Sequence, residues 1–276
     1  TVPLPEHKDA KEKADITNIV LFGLDRRNPD AASRSDSIIV VSLDRKNEKV
    51  KVSSLMRDMY VQIPGKGDNR INAAYAYGGP QLAIKTINSN FGLDIRNYVT
   101  VDFFGCEKLI DKLGGVDIGI KSYEVRELND KISEVDKIEG NKNTDYVSKP
   151  GFQTLDGRQA VAYSRIRYAG NADYERTERQ RMVLNEAFKK IKAQGLLKFP
   201  NTVETILPYV ETSLSKTEIM DLALDAIKFN TDDIVQFRLP VNGYFISRNI
   251  RGMDVLVPNI EENKNLLHGF IYGTTE

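Results

Sequence analysis

The chain is 276 residues long, 41% hydrophobic and 28% charged, a globular composition with enough material for a full core. Lys plus Arg and Asp plus Glu both number 39, which disfavours a general nucleic-acid binder and makes any positive site a local one. A single cysteine, Cys106, and two histidines near opposite ends, His7 and His268, exclude an internal disulfide and speak against a zinc centre or a histidine triad.

The opening TVPLPEHKDAKEKAD is rich in proline and charge and reads as a linker. An opening more like a linker than a start makes the sequence read as a piece of something longer; no apolar run has the length of a bilayer span and no signal peptide is visible. Three runs rich in Val, Ile and Leu follow at residues 19–24, 38–43 and 50–55, each of strand length. Between the second and third, Asp44-Arg45-Lys46-Asn47-Glu48 is a charged turn and implies a hairpin. The connection over residues 25–37 holds Pro29 and no helical period. It is too short for a helical crossover, so the chain runs up, down and up again. That path gathers Asp25, Arg34, Asp36, Arg57 and Asp58 at one edge of a buried sheet, where open α/β sheets bind ligands.

Residues 61–80 are a Gly-rich polar loop in which Asn72 and Tyr75 either meet a ligand or simply pack. Gly79-Pro80 opens an amphipathic helix closed by Gly92. A strand at 98–102, a helix at 103–113 with Cys106 as a small buried residue, and a strand at 116–120 continue an α/β alternation. Residues 121–149 are polar and without clear period. They read as a long surface excursion, helical in part, and as a candidate lid.

The stretch from 156 to 191 is the second informative one. DGRQAVAYSR is a short helix, and Arg165 and Arg167 leave its end two residues apart, pointing the same way if that end is extended. Asn171-Ala172-Asp173 starts a second helix. At 100° per residue, its inward stripe of Val183, Leu184, Ala187 and Ile191 extends back to Arg176 and Gln180, with Arg179 at the margin. Inward arginines without acids in the local sequence need an anion, and a helix N-terminus adds N–H donors and positive dipole. The alternative is a surface helix with i,i+4 pairs such as Glu175 with Arg179. Beyond Pro200 come an amphipathic helix over 215–229, a strand near 233–240, an edge or closing strand at 253–258 and a terminal helix. Nothing there has chemical spacing, so residues 196–276 read as scaffold.

Taken together, Asp25 and Asp36 can hold a hard divalent cation through oxygen, and magnesium suits one or two carboxylates beside phosphate. Arg34, Arg57, Arg165, Arg167 and Arg176 can surround a diphosphate, since guanidinium forks match phosphate oxygens and stabilise charge on a leaving phosphate. Paired surface charges would account for some of these residues.

The blocks NIVLFGLDRR, RSDSIIVVSL, SLMRDMYVQIPG, INAAYAYGGPQLAIKTI, VDFFGCEKLIDKLGGVDI, AVAYSRIRY and DYERTERQRMVL together resemble the LytR-CpsA-Psr family, in the right order over about residues 18–195. The resemblance implies a single layered α/β domain with a central mixed β-sheet flanked by helices. It implies a bacterial enzyme that moves an anionic glycopolymer, such as wall teichoic acid or capsular polysaccharide, from a polyprenyl-diphosphate carrier to peptidoglycan, forming a phosphodiester. It places residues 1–17 as a linker after a membrane anchor and 18–276 as a catalytic domain on the extracytoplasmic face of the cytoplasmic membrane, with no nucleic-acid partner. By it, Asp25 and Asp36 match the acids linked to magnesium (manganese being the substitute), and Arg34, Arg57, Arg165, Arg167, Arg176 and Gln180 match residues that grip the diphosphate. Asp36, Arg57 and Arg34 stand as the catalytic set. Asn72 and Arg179 lie in matching blocks and rank behind these. Met56 stands where the family commonly has proline, and Arg70 where lysine is frequent. The family also implies an apolar lipid pocket, for which Leu82, Ile84, Leu109, Val183 and Leu184 are the candidates. Two other readings stay open: a polyprenyl-diphosphate phosphatase or pyrophosphatase, and a polymer-binding regulator without turnover.

Overall fold

Side-chain alternation along three neighbouring strands decides the architecture. The computed structural model describes residues 15–24, 34–139, 145–167, 172–195, 197–229 and 234–273. Strands β1 (Ile16–Leu24), β2 (Ser35–Asp44) and β3 (Lys49–Leu55) pair antiparallel in sequence, as the up-down-up path requires. The expected hairpin joins β2 to β3, with Asp44 opposite Lys49 and Glu48 in the left-handed region at φ 52°. The first strand takes in Ile16 and Thr17, at the end of the segment read as linker.

Two more strands extend the sheet on the β1 side: β6 (Asn97–Asp102), parallel to β1, and β9 (Val210–Thr212), antiparallel to β6. On the other side β10 (Val235–Leu239) runs parallel to β3. The result is a mixed six-stranded sheet in the order β10-β3-β2-β1-β6-β9, flanked by helices.

Because successive residues point to opposite faces, each central strand feeds two environments. Val20, Phe22, Ile38, Val40 and Leu55 face one side, where helices α1 (Ala73–Phe91) and α8 (Ile260–Tyr272) close a core around Ile87, Phe91 and Leu267. Helix α1 bends at Gly78 and Gly79, the latter at φ 61°, just before Pro80. On the opposite side Ile19, Leu21, Ile39 and Val41 meet α2 (Phe103–Lys112), α4 (Gly157–Arg165), α5 (Ala172–Gln194), α6 (Phe199–Ile206) and α7 (Lys216–Lys228) across a cavity. Helix α4 approaches α2 closely at Gly157, where a Cβ would lie 2.2 Å from the Glu107 carbonyl oxygen.

Several expectations give way. Residues 60–70 are not all loop: β4 (Tyr60–Ile63) and β5 (Gly67–Arg70) form a small hairpin that buries Val61 and Ile63, a two-residue alternation hidden among polar neighbours. Strand β7 (Val116–Ile120) does not join the central sheet but pairs with β8 (Gly151–Leu155). The 253–258 strand likewise stays out of it, pairing as β12 (Met253–Pro258) with β11 (Phe245–Ile250). Most of the expected surface excursion is helix α3 (Glu124–Glu139), whose Leu128 and Ile132 are fully buried in a second core cluster. Its apolar side is only three residues wide (Leu128, Ile132, Val135), too sparse to lift the segment's mean hydropathy. Residues 140–144 of that stretch lie outside the described ones.

Candidate active site

The β1, β2, β3 and β6 ends that meet at one edge of the sheet carry the polar groups. Leu24, the last residue of β1, is registered against Ser35 on one side and Asp102 on the other. The β3 strand ends at Leu55, and Arg57 just beyond it reaches back to Asp36, Nη1 bonding Oδ1. Arg57 Nε also lies 3.5 Å from Asp58 Oδ2, and Arg70 Nε lies 3.3 Å from Asp58 Oδ1. A row of alternating charge, Asp36-Arg57-Asp58-Arg70, thus runs outward from the sheet edge. Arg34 is exposed immediately before β2. Asp25 lies outside the described residues.

A second set of cations comes from the other side. A capping box, Asp156 with Gln159, starts α4, and the helix ends at Arg165, whose guanidinium stacks over the Phe103 ring at 4.5 Å and lies 3.7 Å from Glu134 on α3. Arg167 follows in non-helical backbone. On α5 the expected stripe holds: Arg176, Gln180, Val183, Leu184, Ala187 and Ile191 all face the same cavity, and Arg176 is 4% exposed. Asp36, Arg165, Arg167, Arg176 and Gln180 line one mouth, with Arg57 bonded to Asp36 behind it. The structure therefore brings together the described residues expected at the diphosphate, while Arg34 stands outside the lining.

Behind that mouth the cavity extends to about 860 Å³ and turns apolar, within the size range of ligand pockets. One wall is the sheet. The other is built largely from the C-terminal third: Phe199, Val203, Leu207, Leu222, Ala226 and Ile227. Reading residues 196–276 as scaffold is therefore wrong for this wall. The amphipathic signature of α7 was visible, but a helix that lines a cavity and a helix that packs a core share one hydrophobic period. Their difference lies in burial: no residue of α7 is buried, although its apolar side faces inward. Among the lipid-pocket candidates, Leu109, Val183 and Leu184 line this cavity. Leu82 and Ile84 belong to the closed core on the far side of the sheet, because α1 packs there.

Sequence reasoning missed Asp102, Lys131 and Glu134 at the mouth and Arg238 behind it. Asp102 lines it beside Asp36, and its Oδ1 accepts the Gly105 N–H at 2.9 Å as the N-cap of α2. Only the parallel pairing of β1 with β6 places it there, and the sequence does not reveal that pairing. Lys131 and Glu134 of α3 form the opposite bank. Arg238 at the end of β10 stacks on Tyr174 at 4.6 Å and donates to the Met56 sulfur at 3.1 Å, buttressing the residue next to Arg57.

Asn72 and Tyr75 turn out to be supports. Asn72 is 3% exposed, and its N–H donates to the Arg57 carbonyl at 3.4 Å. The Tyr75 hydroxyl meets Thr100 at 3.1 Å and its ring packs edge-on to Phe22. Arg179 departs furthest from expectation. It is fully buried; the i,i+4 pair with Glu175 named by the alternative reading forms, and a second acid, Glu124, reaches it from across the fold. Cys106 faces the apolar cavity, and burial pushes its thiol up to about 12, far from a reactive thiolate.

For a hard cation the donor chemistry is present in part. Asp36 and Asp102 flank the tip of β1, which leads directly into residue 25. No group of three or more potential metal ligands occurs among the described residues. Two carboxylates beside a cluster of arginines supply the kind of oxygen donors that a magnesium ion takes alongside its waters. Among the described residues no helix is long and apolar enough to cross a membrane.

Comparison with known proteins gives concordant matches. The model of the LytR_cpsA_psr family matches residues 4–269. Regulatory protein MsrR of Staphylococcus aureus (strain COL) is 30% identical over 259 residues, 92% of this chain and 74% of that protein. The polyisoprenyl-teichoic acid--peptidoglycan teichoic acid transferase TagU of Bacillus cereus is 30% identical over 230 residues, 80% of this chain and 70% of that protein. Among solved structures, TagT bound to LIIa-WTA is similar with a TM-score of 0.76 at 26% identity, covering 96% of this chain and 94% of that one. The same protein, from Bacillus subtilis, with bound octaprenyl pyrophosphate lipid is similar with a TM-score of 0.69 at 25% identity and the same coverage.

Proposed function

The chain belongs to the LytR_cpsA_psr family, and from that premise we propose that it transfers an anionic glycopolymer from a polyprenyl-diphosphate carrier to a peptidoglycan hydroxyl. The observation that carries this reading is the two-part cavity: an apolar tunnel of lipid character opening onto a mouth lined by Arg165, Arg167 and Arg176. A similar protein named for teichoic acid transfer and a similar structure holding a polyprenyl pyrophosphate support it.

In this reading the polyprenyl tail lies along the tunnel and the diphosphate sits at its mouth. Arg165, Arg167 and Arg176 neutralise the phosphoryl oxygens, and Gln180 donates a neutral hydrogen bond from the same helix side. The acceptor hydroxyl attacks the sugar-proximal phosphorus, forming a new P–O bond. The bond from that phosphorus to the bridging oxygen breaks, and polyprenyl monophosphate leaves with the electron pair. The hydroxyl proton passes to a carboxylate at the mouth, Asp36 or Asp102, with Asp36 held there by Arg57. Arginines already fixed in place stabilise the charge that develops on the leaving phosphate, which is where positioned cations contribute most. Asp36, together with Asp25, would hold magnesium or manganese, which when bound adds positive charge beside the phosphates. Arg34 stands at the start of β2 to assist from the outer side. In this reading the domain works at the extracytoplasmic surface of the membrane that carries its lipid-linked substrate and faces the peptidoglycan acceptor.

The direct test incubates the purified chain with a short polyprenyl-diphosphate-linked glycan, with and without a peptidoglycan oligosaccharide. Release of polyprenyl monophosphate that requires the oligosaccharide, with a phosphodiester-linked product, is the expected result. Release at equal rate without acceptor would make the protein a hydrolase. Tight binding with no release would make it a regulator.

A further inference from the structure

The geometry points to Arg179 as a positioning residue, a buried clamp that fixes the peptide bearing Arg165 and Arg167 against the helix bearing Arg176. The inference rests on the diphosphate reading of the mouth and assigns Arg179 a part outside substrate contact.

Arg179 is 1% exposed and is the largest fully buried side chain among the described residues. Its guanidinium fork engages three elements at once. Nε donates to Glu124 Oε1 on α3 at 2.8 Å, Nη2 to Glu175 Oε2 one turn back on α5 at 2.6 Å, and Nη1 to the Ile166 carbonyl at 3.3 Å. That last acceptor is the informative one. Ile166 lies between Arg165 and Arg167 and follows the end of α4, where helix carbonyls have no partner within the helix. Satisfying one of them from α5 ties the two mouth arginines to the helix that carries the third.

The acid partner is itself held. Glu124 is 1% exposed, and its second oxygen accepts the Lys121 N–H at 2.8 Å, so it does not swing away without losing a bond of its own. Glu175 also accepts from the Tyr123 hydroxyl at 3.2 Å. The Tyr163 ring lies 5.9 Å from the guanidinium carbon. By contrast Arg176 and Gln180, on the same helix, line the cavity, and Arg179 does not. The helical period accounts for this: Gln180 is one residue and so about 100° away, enough to turn Arg179 toward α3. A planar, always-charged fork is what this junction requires, since one ammonium does not reach three acceptors in fixed directions.

The experiment measures binding of geranylgeranyl diphosphate by calorimetry to the full chain and to Arg179→Met, Glu124→Gln and Ile132→Ala. Ile132 is fully buried on the same helix α3 and does not line the cavity, so its variant reports lost stability without lost clamping. Measurements are made well below each variant's melting temperature, with the folded fraction checked by circular dichroism. The clamp predicts that Arg179→Met and Glu124→Gln each weaken binding by about tenfold to a hundredfold, the scale of a small misplacement of binding groups, while Ile132→Ala binds like the parent. Should Arg179→Met fail to fold, Glu124→Gln carries the test alone. An Arg179 that touched phosphate itself would be freed by Glu124→Gln, so unchanged or tighter binding there overturns the proposal, as does an equal loss in Ile132→Ala. A parent chain that does not bind the probe overturns the diphosphate reading and this inference with it.

Discussion

The two faces of the central sheet are made by the same strands and do different work. Toward α1 and α8 the side chains interlock, and Phe22, Ile87, Phe91, Leu267 and Ile271 are at or near zero exposure. Toward α5, α6 and α7 the alternate residues of those strands border a cavity of about 860 Å³. Dense packing is where stability concentrates, and an apolar cavity of this size is stability forgone unless something fills it. The closed face therefore sets the shape, and the open face offers a lipid-sized volume beside fixed cations.

Substitutions break or sharpen that contrast. The largest effect falls on the closed face: Phe91→Ala should lower unfolding free energy by about 3–5 kcal/mol in denaturant titration, with probe affinity per folded molecule kept. Next, Asp36→Asn should lower transfer rate by about a hundredfold to a thousandfold, the scale of losing one group that acts on transition-state charge, while the melting temperature barely moves because Asp36 is part-exposed at 30%. A smaller effect follows from filling the cavity. Ala223 on α7 lines it, and Ala223→Phe should weaken a long polyprenyl diphosphate roughly tenfold or more, since each lipid methylene kept in water costs about 0.8 kcal/mol. A five-carbon prenyl diphosphate should bind it unchanged, and equal weakening of both chains would mean the tail does not lie along α7. Smallest is Arg34→Ala. Arg34 is exposed and outside the lining, so transfer should fall less than about tenfold, the scale of a screened surface charge.

What the sequence disclosed and what it hid divide along a physical line. The strand edge and the α5 stripe were legible because local rules carry them: a short connection forces adjacent antiparallel strands, and a 100° rotation per residue places Arg176 and Gln180 over Val183. Asp102 was hidden because its place depends on β6 pairing parallel with β1, a long-range choice with no local signature. Helix α3 was read only as a part-helical surface excursion because just three buried apolar residues hold it down among charges. The tunnel wall from Phe199 to Ile227 was read as scaffold because hydrophobic period reports which side turns inward, not whether the inside is solid. Arg179 was read as marginal because its partner Glu124 lies 55 residues away in the chain.

The most direct measurement is a crystal structure of this chain with a polyprenyl diphosphate bound. The account predicts the two phosphates within hydrogen-bond reach of Arg165, Arg167 and Arg176, and the isoprenoid running between the sheet and α7. A lipid seated on the α1 side, or a diphosphate held away from those three guanidinium groups, would contradict it.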